Sequence, residues 1–338
     1  MLRSLVGSEM CIRDSQKAAV RLSMITALVS NRTMVMLNEP ICYLVEIALY
    51  EELICMASDK MKTLLEGMKS ARSQAKKQLP IEQQRADLER YVSHLKVPEG
   101  VLIDDFLLAG RPARKYFTPE VREDATVLYL HGGGYCVGSL DSHHSFMAHL
   151  AVACETSING LGYRLAPENP FPAALDDAVA AYKEMLEYTG GSKIMIAGDS
   201  AGGGLALACA LRLKDENVAM PGCLALLSPW TDLTCSGESL RDVRDQFMLN
   251  VVHYASDYAL DTVGLSPLFG DLSGLPPLLI QVVSDEKLVD DSKRLQALAH
   301  QSDVSVDMEV IDKAFHVFQI FTDLPESHAA LSSIGRFY

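Results

Sequence analysis

Basic charge is what this sequence most lacks. Its 338 residues hold 30 Lys and Arg against 44 Asp and Glu, a formal net charge of −14 at neutral pH. Nucleic acid and anionic membrane both call for basic surface, so neither is expected as a partner. Membrane-spanning apolar runs are missing too, since Arg32, Glu39 and Glu46 interrupt the apolar region near the N-terminus. The eight cysteines (11, 42, 55, 136, 154, 209, 223 and 235) form no CxxC pair and no cluster with histidine. A disulfide framework and a zinc site are therefore not expected, and the pattern suits a reducing, cytoplasmic compartment. Cys209 and Cys223 lie in apolar stretches and read as small core residues. There is no HExxH, Walker loop, dinucleotide fingerprint or EF-hand loop, so no cofactor and no metal are implied. Internal repeats and low-complexity tracts are also absent.

What is present is concentrated in two stretches. In KIMIAGDSAGGGLALACAL (193–211) an apolar run, Ile194–Ala197, breaks at Gly198-Asp199-Ser200-Ala201-Gly202 and resumes as a small-residue helix. A strand, a tight turn and a helix are the setting of a nucleophile elbow, which lifts a serine hydroxyl from the end of a strand. The helix behind it aims N–H groups and a positive dipole end at that hydroxyl. The pentapeptide alone fits a phosphate-binding turn equally well. Upstream, ATVLYLHGGGYCVGS (125–139) carries a buried-type strand, Thr126–Leu130, straight into His131-Gly132-Gly133-Gly134-Tyr135. Successive glycines let a backbone turn its N–H groups into a cavity that any Cβ would obstruct, as an oxyanion hole requires.

From residue 126 onward strands and helices alternate. Strands are expected at Thr126–Leu130, Ser157–Tyr163, Ile194–Ala197, Cys223–Leu227, Leu278–Val283 and Val306–Ile311. Helices are expected at 142–154, 173–188, 201–213 and 290–301. Such alternation predicts a parallel sheet with right-handed crossovers. An antiparallel pair, Val101–Leu108 with Arg114–Phe117, is expected before it, and two amphipathic helices within 58–95, divided near Leu79-Pro80. The stretch 236–270 reads as helical but poorly amphipathic.

The motifs HGGGY (131–135), YRLAPENPFPAALDD (163–177) and GDSAGG (198–203) resemble the hormone-sensitive-lipase family of α/β-hydrolases, in its bacterial carboxylesterase branch. LLSPWTDLT (226–234) and SGLPPLLIQ (273–281) are similar as well, and the resemblance runs from about residue 62 to the end. It implies an α/β-hydrolase fold, with a mostly parallel eight-stranded sheet, helices on both faces and a helical cap. The chain would divide into N-terminal region and cap helices (16–99), a catalytic domain (100–235 and 271–338) and a cap insertion (236–270). That insertion is shorter than is usual in the family, so a wider or shallower acyl pocket is expected. Residues 2–15 look like a translated adaptor sequence, 16–60 have no clear counterpart, and 335–338 end inside an expected helix. An extended or shifted reading frame would account for the N-terminal region, and a truncated gene fragment for both ends.

The family order is serine, acid, histidine. His253, His300, His316 and His328 follow Ser200; His316, in DKAFHVF after the last expected strand, lies where the sheet's carboxyl edge should be. The family histidine has this place and the same Phe two residues on, here Phe318. The acid should come from Ser284–Asp291, where four carboxylates crowd and composition does not choose among them. The family's Asp-Pro-Leu-x-Asp, aligned without a gap through Leu288 and Asp290, sets its catalytic acid on Glu286, with Asp285 the alternative. The resemblance thus implies catalytic Ser200, Glu286 and His316, with N–H groups of Gly133, Gly134 and Ala201 as the oxyanion hole. It also implies a small-molecule ester substrate and allows a homodimer. A related serine hydrolase acting on amides, lactones or acyl transfer remains open, as does a receptor on the same scaffold.

Other motif residues read as structural: an Arg164–Glu168 ion pair under the site, Asp199 bonded to the HGGG loop, Tyr135 packed near the pocket mouth, and His143-His144 as a surface pair at a helix start. Gly204, often Asn in the family, and Gly162, often acidic or amide, are departures. Removing residues 1–15 is expected to leave expression, melting temperature and activity unchanged. A melting temperature lower by several degrees would make that segment part of the folded protein.

Overall fold

The computed structural model describes residues 57–74, 79–121, 125–189, 193–241 and 244–338. The segment 1–15 and the region up to residue 56 lie outside the described residues. Eight strands build one sheet: β1 (Leu102–Leu108), β2 (Arg111–Phe117), β3 (Ala125–Leu130), β4 (Ser157–Leu161), β5 (Lys193–Asp199), β6 (Cys223–Leu227), β7 (Leu278–Val283) and β8 (Val306–Ile311). Their order across the sheet is β1-β2-β4-β3-β5-β6-β7-β8. Strand β2 pairs antiparallel with β1 and β4; every other pairing is parallel.

The helices are α1 (Asp59–Gln74), α2 (Ile81–Val92), α3 (His144–Cys154), α4 (Ala173–Thr189), α5 (Ala201–Asp215), α6 (Arg244–Ala255), α7 (Val289–Gln301) and α8 (Pro325–Phe337). The period-two alternation of β3 explains the layering. Leu128 and Leu130 point into one core with α4, α5 and α7, while Val127 and Tyr129 point into a second core with α3 and α8. Both faces of the central strands are thus covered, which is why they read as continuous apolar runs. A third, smaller cluster packs Met61 of α1 against Phe318 and Phe321, beside the loop that follows β8.

The order reverses at β4-β3-β5, so the loops leaving the carboxyl ends of β3 and β5 diverge and open a crevice there. Both glycine motifs occupy those loops.

Two structural expectations need correction. Arg164 does not pair with Glu168. Its Nε and Nη2 grip Asp177 in the second turn of α4, with Nη2 at 2.7 Å from Oδ1, because that helix packs directly under the loop. Glu168 turns outward to Arg85 of α2 instead. His143 is not on the surface. It is buried, with its ring 5.5 Å from that of His131, because the start of α3 tucks beneath the HGGG loop; His144 is half-buried, 2.9 Å from the Tyr116 hydroxyl. Tyr135 is buried and stacks face to face on Tyr254 of α6 at 3.7 Å. Cys209 and Cys223 are core residues.

One buried acid sets a pH dependence. Asp291, in the first turn of α7, accepts through Oδ2 the N–H groups of Thr231 and Asp232, while its Oδ1 has no partner among the described residues. Burial pushes this carboxyl up to about 7, from an ordinary 3.8. A raised acid favours the folded state most below its unfolded value, and that stability is lost as pH rises through the folded value. Asp291→Asn removes this loss. Its melting temperature relative to the wild type should therefore rise between about pH 4 and pH 7; parallel pH curves would show that Asp291 does not titrate there.

Candidate active site

The turn after β5 carries Ser200 in a conformation that L-residues rarely adopt, with φ 53° and ψ −119°. Such backbone strain costs about 1–3 kcal/mol and persists only where its surroundings enforce it. Three hydrogen bonds do so: Ser200 N–H donates to Leu227 O at 2.8 Å, and Trp230 N–H and Gly204 N–H donate to Ser200 O at 2.8 and 3.1 Å. A Cβ on Gly198 or Gly202 would overlap Leu130 O, and one on Gly204 would overlap Trp230 O. The departure at Gly204 therefore has a steric cause.

His316 sits on the loop after β8, with Nε2 3.0 Å from Ser200 Oγ and Nδ1 3.1 Å from Glu286 Oε2. A carboxylate only accepts hydrogen bonds, so Nδ1 carries the proton and Nε2 offers its lone pair to the serine hydroxyl. Glu286 is buried at the end of β7, and Oε2 also accepts the Ser228 hydroxyl at 3.0 Å. The other carboxylates of that loop are elsewhere. Asp285 is exposed, Asp290 accepts the Ser239 N–H, and Asp291 holds Thr231 and Asp232. His300 and His328 are exposed on helices, and His253 belongs to α6.

The HGGG loop rises beside this row. Gly133 and Gly134 have φ of 118° and 60°, and Cys136 N–H and Val137 N–H both close onto Gly133 O at 3.1 and 3.0 Å. From below, Asp199 Oδ1 accepts Gly132 N–H at 2.8 Å and the Tyr129 hydroxyl at 2.6 Å. Among the described residues, no hydrogen bond takes up the N–H of Gly133, Gly134 or Ala201. Burial alone would raise the Asp199 carboxyl, but His143, with Nε2 3.3 Å away, and the bonds from Tyr129 and Gly132 hold it below its ordinary value. Burial, with His143 beside it, drives His131 down to about 4, so its neutral ring donates from Nδ1 to Gly132 O at 2.8 Å.

Sequence reading missed three supports of this site. Ser228 and Tyr163, whose hydroxyl donates to His131 O at 2.6 Å, lie inside motifs already singled out. Arg85, which reaches Cys136 O at 2.8 Å, lies in no motif, and only the fold shows it. No group of three or more metal-ligating side chains exists among the described residues, and no helix among them is long and apolar enough to cross a membrane.

A sheet of this order with such a strand–turn–helix at its centre defines a class, and comparison with known proteins gives the family. A family model for the alpha/beta hydrolase fold matches residues 127–320. A crystal structure of an esterase from the bacterial hormone-sensitive lipase family superposes with a TM-score of 0.79 at 35% identity, covering 83% of this chain and 98% of that one. An acetyl-hydrolase of Streptomyces hygroscopicus is 37% identical over 264 residues, 72% of this chain and 84% of that protein. An esterase of Acinetobacter venetianus is 39% identical over 222 residues, 62% of this chain and 73% of that protein. The chain belongs to the hormone-sensitive-lipase-like α/β-hydrolases.

The glycine loop gives a direct test of its role. A Cβ on Gly133 would strike Val137 O, so Gly133→Ala must shift the turn. Turnover should then fall by roughly 10² or more, the usual effect of losing one oxyanion donor. A raised KM with unchanged kcat would instead mark the loop as a substrate-binding element.

Proposed function

We infer that this chain is a serine carboxylesterase that hydrolyses short- to medium-chain acyl esters through an acyl-enzyme. The observation that carries this reading is the unbroken hydrogen-bonded row Ser200–His316–Glu286, at 3.0 and 3.1 Å, beside backbone N–H groups that no described acceptor satisfies. His316 Nε2 takes the proton of Ser200 as Oγ attacks the ester carbonyl. The N–H groups of Gly133, Gly134 and Ala201 bind the oxyanion of the tetrahedral intermediate; each such donor contributes roughly 3–4 kcal/mol. His316 then returns its proton to the departing alcohol. Water, deprotonated by the same imidazole, attacks the acyl-enzyme and releases the acid. Glu286 keeps the proton on Nδ1 and stabilises the imidazolium in each step.

The similarity to an acetyl-hydrolase and an esterase supports an ester substrate with a short acyl group. Helices α1 and α2 and the 236–270 segment act as a cap in this reading. Its support is the contact of α6 with the glycine loop, where the Tyr254 ring lies on Tyr135 and Asn250 O faces the Cys136 thiol. A cytoplasmic location fits the five described cysteines, none of which is in a disulfide.

Ser200→Ala should abolish hydrolysis of p-nitrophenyl butyrate while leaving the melting temperature nearly unchanged, because alanine fits the same turn. Residual activity above about one per cent would sink the assignment, since a triad knockout loses far more. Glu286→Gln should lower kcat by orders of magnitude, and Asp285→Asn by less than about tenfold. The reverse order would move the acid to Asp285.

A further inference from the structure

Arg85 lies on α2, outside the residues that the family model matches. Its guanidinium nevertheless makes four hydrogen bonds to the loops around the site. Nε donates to Cys136 O at 2.8 Å, Nη2 to Ala166 O at 3.0 Å, and Nη1 and Nη2 each to a Glu168 carboxylate oxygen at 2.8 Å. The two loops it bridges are also tied to each other, Ala166 N–H donating to Tyr135 O at 2.9 Å. One turn further along α2, Glu89 accepts the hydroxyl of Ser139, at the far end of the same glycine loop, at 2.7 Å.

We propose that Arg85 is a positioning residue for the oxyanion loop: by pinning Cys136 O it holds the Gly133–Val137 turn in the geometry that aims the Gly133 and Gly134 N–H groups. This rests on the serine-esterase reading of the site. Cys136 is part of the turn itself, since its own N–H closes onto Gly133 O. Asp199 fixes the loop from beneath at Gly132, and Arg85 fixes it from above four residues later, at Cys136. Between these two anchors lie the two glycines; among the described residues no side chain hydrogen-bonds their backbones, and the Asn250 amide packs against Gly134.

A planar fork suits this task and an ammonium does not, because three acceptors in different directions must be met at once. Glu168 keeps the fork oriented. The Arg85 guanidinium hydrogen-bonded to it holds its carboxyl at about 2, so the pair stays charged throughout the neutral range. The Arg85 side chain is only 26% exposed and Glu168 51%, so the contact is partly shielded from water. Docking of α2 and competence of the oxyanion hole are coupled through this side chain, with the Glu89–Ser139 bond a second tie from α2 to the loop.

The test compares wild type, Arg85→Met, Arg85→Lys and Glu168→Gln on p-nitrophenyl butyrate. Arg90→Met, an exposed arginine on the same helix, serves as a control, and Ser200→Ala is run alongside. Each variant is also titrated with an alkyl trifluoromethyl ketone, whose adduct with the serine sets an oxyanion against the loop. For Arg85→Met, kcat should fall at least about tenfold with KM within about threefold, and the ketone's inhibition constant should rise in parallel. Arg85→Lys should recover only part of the loss, Glu168→Gln should lie between, and Arg90→Met should match wild type. Wild-type kcat and ketone affinity in Arg85→Met, with only a lower melting temperature, would overturn the proposal and leave Arg85 a docking residue. Should Arg85→Met fail to fold, Arg85→Lys and Glu168→Gln report the same two quantities, and wild-type values in both would overturn it. Activity surviving in Ser200→Ala would instead remove the esterase reading beneath it.

Discussion

Three backbones meet at van der Waals limits where β5 turns into α5, and everything else in the site follows from that approach. Gly198 and Gly202 face the carbonyl of Leu130 at the end of β3, and Gly204 faces that of Trp230. With side chains there, α5 would stand off from the sheet, and the turn would relax out of the strained conformation that projects Ser200. The same closeness delivers the hydrogen bonds that enforce the strain, from Trp230 and Gly204 onto Ser200 O and from Ser200 onto Leu227 O. It also brings the loop after β6 within reach of the end of β7, where Ser228 meets Glu286. Ser200 and Glu286 are thus positioned by one packing constraint.

Beneath the glycine loop a buried polar layer extends this rigidity. Asp199, Tyr129, His131, His143 and Tyr163 are all buried, and each lies against the loop or against a group that holds it. Partnered polar groups in a low dielectric are costly to rearrange, which is how such a layer fixes backbone geometry. Its charges are also held steady. Asp199 stays below its ordinary value, and burial pushes Tyr129 well above its own. With His131 down at about 4, these three groups keep one charge state near neutral pH, and the donors above them keep one orientation.

The parts of this molecule that were legible in the sequence are those written locally. Strands β6 and β7 begin and end where their apolar runs do and β8 where its apolar–acidic alternation does, and the glycine turns announce themselves because only glycine tolerates such approach. The charged partnerships were less legible. Arg164 and Glu168 stand four residues apart in one motif, yet Arg164 pairs with Asp177, and Glu168 with Arg85, 83 residues away. Nothing in the local pattern of α2 distinguishes Arg85 from its solvated neighbours; only the docking of that helix on two loops does. His143 misled for a related reason. A polar residue at a helix start reads as exposed, but α3 begins under the HGGG loop. Composition did not choose among the four carboxylates of one loop; the family alignment through Leu288 and Asp290 pointed to Glu286, which is buried where Asp285 is exposed.

The central claim is that Ser200 is a nucleophile activated by His316 within a single site. Treating the protein with an alkyl fluorophosphonate, and mapping the adduct by intact mass and peptide mass spectrometry, tests it most directly. One phosphonyl group per chain, carried by Ser200 and abolishing ester hydrolysis in step with its incorporation, is the result predicted. Full inactivation with Ser200 unmodified, or stoichiometric modification of Ser200 with hydrolysis intact, would contradict it.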